Sequence, residues 1–266
     1  SQYGYYENRV GWYDSATGQN AGLLQFDTSP LAGAQVYSAE ARAYFFHAYY
    51  VSAATTVYLH KVTSPWTAGA VTWNTAPSYV GYTSSTVARG QWSIVDITGL
   101  AQQWASGAAP NYGLEYATNW HVQGEWKRMA SMENPSTSAP YLYVSFNRNA
   151  GMATPTSPAD GAVVHATDTT GNVELKATAS DPDGDTLYYY FRVATGPDAE
   201  SGVVWNSGWI TSSTGNVPAD AIPAGLSGAG RTYYWHTYTY DLNSPSNTVS
   251  RVKKLAGFRA LESWVP

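Results

Sequence analysis

The sequence contains no cysteine, and this absence removes several kinds of chemistry at once. Disulfide bonds, thiolate metal centres and cysteine nucleophiles are all excluded. Only 12% of the 266 residues are charged, which is about half the ~25% of an average soluble domain. Acidic residues outnumber basic ones by 19 to 14 without a basic tail, so we expect no nucleic-acid partner. No segment approaches the ~18 consecutive apolar residues of a membrane span, so we also expect no membrane insertion.

Aromatic residues are abundant by contrast. The chain has 22 tyrosines and 11 tryptophans, and 44% of it is hydrophobic, a composition that argues against disorder. Aromatic rings diluted with Gly, Ser, Thr and Asn are typical of extracellular β-proteins and of sugar-binding surfaces, because a flat ring can pack against the apolar face of a pyranose. Most of the rings should nevertheless belong to cores or cross-strand pairs.

Alternating hydrophobicity predicts an all-β protein with two β-sandwiches. Strands are expected at 36–46 and 56–62 in the first half, and one short helix is expected at 99–105, capped by Thr98. A non-alternating, proline-containing stretch marks the boundary between the halves, and several short strands in about 100 residues then favour an immunoglobulin or fibronectin type III sandwich. The predicted strands of the second half are 173–179, 187–194, 203–211, 232–240 and 249–255. The predicted organisation is a first domain at 1–148, a linker at 149–158, a second domain at 159–256 and a tail or further linker at 257–266.

One specific block of the first half is Trp66–Pro77, which reads WTAGAVTWNTAP. Further segments that belong to the same pattern are Leu23–Asp27, Trp92–Leu100, Trp104, Gly107, Asn111–Leu114, Met129–Glu133 and Ala139–Val144. On these residues the region 1–146 resembles the DNRLRE domain family. The resemblance implies a jelly-roll β-sandwich of large secreted proteins, and one branch of the family is classed as an alginate-binding carbohydrate module. It also implies that Trp66, Trp73, Trp92 and Trp104, at signature positions, fill or seal the core.

The second half resembles, more loosely, the fibronectin-like modules that accompany such domains in Rhs-type proteins. The segments that carry this likeness are Ser157–Gly161, Ser180–Leu187, Trp205–Trp209 and Arg231–Trp235. Together the two resemblances imply a secreted or cell-surface segment that binds or adheres to a polysaccharide or cell-surface glycan. Two alternatives stay open: a structural segment that spaces or docks other modules of a large Rhs-like surface or toxin protein, and a polysaccharide-active enzyme.

The sequence offers no catalytic constellation, so we expect a protein that is not an enzyme. Neither a G-x-S-x-G elbow nor an H-E-x-x-H motif is present. The five histidines are scattered singly, and Tyr190–Arg192 is only faintly similar to a lyase strand. Carboxylate pairs of the glycosidase type depend on three-dimensional spacing and are not excluded.

A run of alternating acids suggests a metal. Asp181, Asp183 and Asp185 form D-x-D-x-D, which invites a calcium interpretation. An EF-hand would need Gly at its sixth position and Glu at its twelfth, whereas here Gly184 is fourth and Arg192 is twelfth. An Asp-Gly turn between strands is the other interpretation. We therefore expect no cofactor, with structural calcium at these three aspartates as the alternative.

The candidate ligand-binding residues fall outside the family signature. Trp120 and Trp126 lie in the polar stretch 119–127, where exposed rings beside cations would suit an acidic sugar, because the rings meet the sugar face and the cations meet carboxylates. The same rings could serve an interdomain or partner contact equally well. The full candidate set is Trp12, Trp120, His121, Trp126, Lys127 and Arg128.

Overall fold

The computed structural model of the chain describes residues 6–50, 53–134, 137–162, 173–218 and 232–242. The chain divides into two compact units, Ser1–Phe146 and Asn147–Pro266. Strands are the dominant regular structure in the described part of both units, which confirms the predicted all-β class. Within the described ranges, no helix is long and apolar enough to cross a bilayer.

The first unit holds eleven described strands in three sheets, ordered β2–β1–β10–β5, β11–β4–β8 and β3–β9–β6–β7. The strands are β1 (Glu7–Trp12), β2 (Gln19–Asn20), β3 (Gly22–Leu24), β4 (Gln35–Phe45), β5 (His47–Ala48), β6 (Thr55–Val62), β7 (Tyr79–Val87), β8 (Gln91–Asp96), β9 (Leu114–Ala117), β10 (Lys127–Ala130) and β11 (Tyr141–Asn147). The pairings of β1 with β10, of β4 with β8 and of β6 with β7 and β9 are antiparallel.

The core of the first unit follows the predicted alternation. On β4 the inward positions Ala39, Ala41, Ala43 and Phe45 are fully buried, and they pack with inward residues of the other sheets such as Leu59. Burying one face of each strand in this way gives the sandwich its stability, because apolar area leaves water.

One α-helix, α1 (Thr98–Ala105), closes an end of this core. Leu100 and Trp104, one turn apart, are buried, as predicted. Asp96 fixes the start of the helix, because its Oδ1 accepts hydrogen bonds from Thr98 N at 2.8 Å and Thr98 Oγ1 at 2.6 Å. The Thr98 hydroxyl in turn accepts a hydrogen bond from Ala39 N at 2.9 Å, which ties the helix to β4.

The described residues of the second unit form a sandwich of two three-stranded antiparallel sheets, ordered β12–β13–β16 and β15–β14–β17. Its described strands are β12 (Thr154–Ser157), β13 (Val173–Thr178), β14 (Leu187–Ala194), β15 (Val203–Ile210), β16 (Thr214–Val217) and β17 (Tyr234–Asp241). Leu175, Tyr189, Phe191 and Trp235 lie in the core between the sheets.

The stretch predicted as a linker, 149–158, contains strand β12, because Thr154 and Pro155 pair with Thr178 and Ala177 of β13. Residues Thr154–Ser157 of the predicted linker therefore form a strand, and a proline is tolerated there because β12 lies at the edge of its sheet. The predicted strand 249–255 and the tail 257–266 lie outside the described residues.

Candidate functional site

Four exposed or half-exposed rings meet on one surface of the first unit. Trp73 and Trp120 are 58% and 57% exposed, and their ring centroids lie 5.4 Å apart. The imidazole of His121 lies 5.4 Å from the Trp120 ring and 5.6 Å from the Trp12 ring. These four residues, Trp12, Trp73, Trp120 and His121, are called the aromatic patch below. Large exposed rings in continuous contact are uncommon on a protein surface that has no ligand or partner.

Trp120 and His121 are held by a turn that follows β9. Asn119, directly before them, donates from its backbone N and from Nδ2 to the Glu125 carboxylate, both at 2.9 Å. The Asn119 side-chain oxygen accepts a hydrogen bond from the Tyr58 hydroxyl on β6 at 3.2 Å. His121 has φ of +61°, so the turn bends sharply in the left-handed region. These bonds fix the backbone under the patch before any ligand arrives.

Trp73 comes from the long connection between β6 and β7. Thr72 and Thr75 form a capping box around the short 3-10 turn Trp73–Thr75, with Thr72 N donating to Thr75 Oγ1 at 2.8 Å. The base of the connection is closed by Thr63 N, which donates to Ser78 O at 2.8 Å. This base lies at the C-terminal end of β6. Trp120 comes after the C-terminal end of β9, which lies beside the N-terminal half of β6 because the two strands are antiparallel. Contact between the two tryptophans therefore requires the connection to double back along the sheet.

The sheet face beside this connection carries a histidine–carboxylate pair. His60 Nδ1 lies 2.9 Å from Glu115 Oε1, and Glu115 is only 5% exposed. The ring of Tyr79 stacks on His60 with a centroid distance of 4.5 Å and an interplanar angle of 4°. The pair is thus covered by a ring and serves to hold Tyr79.

Two of the residues predicted for the site are buried. Trp126 is 4% exposed and packs against Tyr13, His47 and Arg128, at 4.9, 5.7 and 5.3 Å. Lys127 is 0% exposed, and its ammonium donates to Thr55 Oγ1. Burial lowers the pKa of Lys127. The expectation that both side chains are exposed was wrong. Trp126 packs against Tyr13 and His47, and alternation along β10, which lies between β1 and β5, turns Lys127 to the same buried side as Met129.

Trp73 corrects a second expectation. It was predicted to fill or seal the core because it stands at a signature position, but it is among the most exposed large side chains described. Of the other signature tryptophans, Trp104 is 8% exposed, and the half-buried Trp66 donates from Nε1 to Tyr112 O at 2.7 Å. Trp73 is exposed because it lies in a turn of the long connection between β6 and β7 and not in a strand that buries one face.

Residues 3–146 match the model of carbohydrate-binding module family 96. The chain belongs to this family. Among curated proteins it is 35% identical over 142 residues to the tRNA3(Ser)-specific nuclease WapA of Bacillus spizizenii, which covers 53% of this chain and 6% of that protein. It is 34% identical over 171 residues to the tRNA nuclease WapA of Bacillus subtilis, which covers 64% of this chain and 7% of that protein. The chain therefore spans only a small fraction of the length of these relatives.

The family 96 module carries a second distinctive surface on β1, β10 and β5. Arg9 lies directly opposite Arg128, and Arg128 lies directly opposite His47, so the three side chains cross the sheet in a row. Arg9, Arg128 and His47 are called the arginine row below. Glu7 is the counter-charge: its carboxylate lies 3.5 Å from Arg9 Nε and 3.3 Å from Arg128 Nη1. The Nε atoms of both arginines are buried without a hydrogen-bond partner.

The field along this row is positive. Burial lowers the pKa of His47, with further lowering by the charges of Arg128 and Arg89 and a smaller opposing effect of Glu7. Like charges placed directly opposite one another destabilise a sheet. The facing arginines Arg9 and Arg128 therefore reduce the stability of the sheet, and an anionic group bound to them would offset their repulsion. Sequence reasoning selected Arg128 but missed Arg9 and His47, although the i, i+2 spacing of Glu7 and Arg9 places both on one strand face.

The three aspartates for which calcium was the alternative interpretation lie in the second unit. Oxygen atoms of Asp181, Asp183 and Asp185 lie within 4.8 Å of one another. Arg148 reaches the same place: its Nε and Nη2 donate to Asp183 Oδ1 at 2.9 and 2.7 Å. Asp181 Oδ1 accepts the backbone N–H of Asp183 at 2.7 Å and of Asp185 at 3.1 Å, which is the pattern of a stabilised turn.

Proposed function

We propose that the first unit is a non-catalytic module that binds a carbohydrate through the aromatic patch. The observation that carries the proposal is the continuous contact of Trp73, Trp120 and His121, which stand on two hydrogen-bonded turns, with both indoles more than half exposed. An indole offers a flat apolar face to a sugar ring, and a fixed backbone keeps the entropic cost of binding low. Membership of a carbohydrate-binding family supports the same conclusion.

The charges around the patch favour an uncharged sugar there. Lys127 is buried, and Arg128 is engaged with Glu7 and with the Trp126 ring. Glu125, the charged residue bound to Asn119 beneath the patch, is acidic. An acidic sugar would therefore meet a carboxylate at this surface rather than the cations that were expected beside Trp120.

Binding of a polysaccharide with acidic groups is a second candidate, and it is favoured by the arginine row. Two guanidinium groups whose side chains are 34% and 36% exposed face each other and share one carboxylate, that of Glu7, so they suit a further carboxylate or sulfate group. The two surfaces predict different effects of salt on glycan affinity. Affinity for a polyanion at the arginine row should fall strongly as ionic strength rises, whereas affinity for a neutral sugar at the aromatic patch should not.

The test measures glycan binding on an array and then affinity by calorimetry, with Trp73→Ala and Trp120→Ala as the variants. Loss of a stacked ring should cost on the order of 1–3 kcal/mol of binding free energy. Tyr6→Ala is the matched control, because Tyr6 is 62% exposed and lies outside the patch. Unchanged affinity in both tryptophan variants, with binding lost instead in Arg9→Gln, would replace the patch by the arginine row as the site.

The role of the whole protein is proposed on the same basis. A module that covers 6–7% of its relatives fits a segment of a larger secreted or cell-surface protein, in which glycan binding would attach or position other modules. A purely spacing or docking segment is the alternative, and a folded wild-type chain that binds no glycan of the array would favour it. Absence of turnover is tested by incubating the chain with a panel of polysaccharides and measuring reducing ends and unsaturated products.

The expectation that the aspartate turn holds no structural calcium has a defined test. Arg148 already places a positive charge at Asp183, so we expect a chelator to change the melting temperature by no more than a degree or two. Arg148→Gln removes that charge and should make the melting temperature rise with added calcium. A drop of about ten degrees when chelator is added to the wild type, worth roughly 2 kcal/mol or more, would identify a genuine metal site.

A further inference from the structure

The second unit has two outer sheet faces, and they differ sharply in composition. On β13 and β16 the outward side chains include Glu174, Lys176 and Asn216, and Glu174 pairs with Lys176 at 2.6 Å. A polar outer face of this kind is usual for a sheet that is solvated on one side. The β15–β14–β17 sheet instead turns five aromatic rings outward. These rings, called the tyrosine face below, are Tyr188, Tyr190, Trp209, Tyr238 and Tyr240.

The tyrosine face is continuous across all three strands. Tyr188 is paired with Tyr240 and Tyr190 with Tyr238 across β14 and β17, with ring centroids 6.3 and 6.1 Å apart. Trp209 of β15 is paired with Tyr190 of β14, and its ring lies 5.4 Å from the Tyr190 ring. Trp209 also reaches over the central strand to the Tyr240 ring, 5.5 Å away. Since neighbouring strands are about 4.8 Å apart, the rings cover a width of about 10 Å.

The charges beside these rings cancel. The Arg192 guanidinium lies over Tyr190 and Tyr238, 5.5 and 5.6 Å from their ring centroids. Glu200 accepts hydrogen bonds from Arg192 and from the Tyr238 hydroxyl. Among the residues that the structure describes, Arg192 of this face is therefore matched by Glu200, and an acidic ligand would find the guanidinium already engaged.

We propose that the tyrosine face is a second glycan-binding surface, separate from the first unit, and that it takes an uncharged polysaccharide chain. Tyrosine and tryptophan supply apolar faces together with polar tips, as neutral sugar rings require. The size of the surface argues against a protein partner. Trp209 is 43% exposed and the tyrosines are half-buried, so the face offers only a few hundred Å², whereas a stable protein interface covers about 800 Å² on each side.

The experiment uses the full chain carrying Trp73→Ala and Trp120→Ala, so that binding by the aromatic patch does not contribute. The protein is run through native gels that contain xyloglucan, glucomannan or mixed-linkage β-glucan, and through gels that contain alginate or pectate. Retardation by at least one neutral polysaccharide is expected in this background. Adding Trp209→Ala and Tyr240→Ala should weaken that retardation at least tenfold in affinity.

Two further variants keep the outcome interpretable. Tyr240→Phe retains the ring and should retain binding even if the alanine variant unfolds. Glu174→Gln with Lys176→Gln changes the other outer face of the same unit and should have no effect. The proposal is overturned if the background protein is retarded by no neutral polysaccharide, or if its retardation survives loss of Trp209 and Tyr240. Self-association on gel filtration that disappears with Trp209→Ala would also overturn it, because the face would then be a protein interface.

Discussion

The aromatic patch and the arginine row lie on the same unit and are separated by a few residues of chain, yet they are built in opposite ways. Trp120 stands on a turn, and its ring is more than half exposed. Six residues later Trp126 is buried and forms the apolar support for Arg128. One tryptophan is therefore free to meet a ligand and the other holds a charged row in place. The two tryptophans differ because Trp126 packs against Tyr13 and His47, whereas Trp120 contacts only rings of the aromatic patch among its described ring contacts.

The largest expected difference between the two regions is in stability. Trp126→Ala should lower the free energy of unfolding by about 3–5 kcal/mol, because a buried indole is removed and a cavity is left. Trp120→Ala should change it by less than about 0.5 kcal/mol, as most exposed substitutions do. Urea unfolding followed by circular dichroism measures both values. Equal losses in the two variants would mean that Trp120 is a structural residue and not part of a binding surface.

The next largest expected effect on stability concerns Lys127, whose side chain is buried on the strand that also carries Arg128. Thr55→Val preserves the shape of the threonine but removes the hydroxyl that accepts a hydrogen bond from the buried Lys127 ammonium. A buried donor without a partner costs about 1–3 kcal/mol or more, so this variant should be clearly destabilised. Lys127→Met combined with Thr55→Val should recover most of the loss, because both polar partners are then absent. No recovery in the double variant would show that Thr55 acts through something other than Lys127.

How far the sequence predicted the fold and the candidate site depends on the kind of signal. Alternation placed β4, β6 and β14 almost to the residue, since each strand buries one face. Exposure within 119–127 could not be derived from polarity, because burial there depends on β1 and β5, which come from distant parts of the chain. Two local signals pointed the right way: Lys127 is in phase with Met129, and the Thr72–Thr75 capping pattern marks Trp73 as a turn residue.

The charges of the arginine row give a smaller effect whose sign is diagnostic. Glu7→Gln removes the counter-charge that both arginines share and should destabilise the fold by up to about 1 kcal/mol at low salt. Arg9→Gln removes one of two facing positive charges and should have an effect near zero or slightly stabilising. Both effects should shrink in 1 M salt, where the screening length is about 3 Å. A large loss in Arg9→Gln would mean that the row is stabilised by contacts other than Glu7.

The smallest expected effect is the pH response of His47 at the end of the arginine row. Burial and the nearby guanidinium groups lower the pKa of His47 in the folded protein below the ~6.5 of an unperturbed histidine. The unfolded chain then binds a proton more readily than the folded chain, so the free energy of unfolding decreases as the pH falls below about 6.5. Carboxylates that titrate lower down contribute equally to wild type and to His47→Gln, so the difference between these two proteins isolates the histidine. Urea unfolding at pH 7.5, 6.5 and 5.5 should show the wild type losing more stability than the variant, and an NMR titration of the His47 ring should give a pKa below that of an unperturbed histidine. A pKa above that of an unperturbed histidine would mean that the charge of Glu7 outweighs burial and the charges of Arg128 and Arg89 at His47.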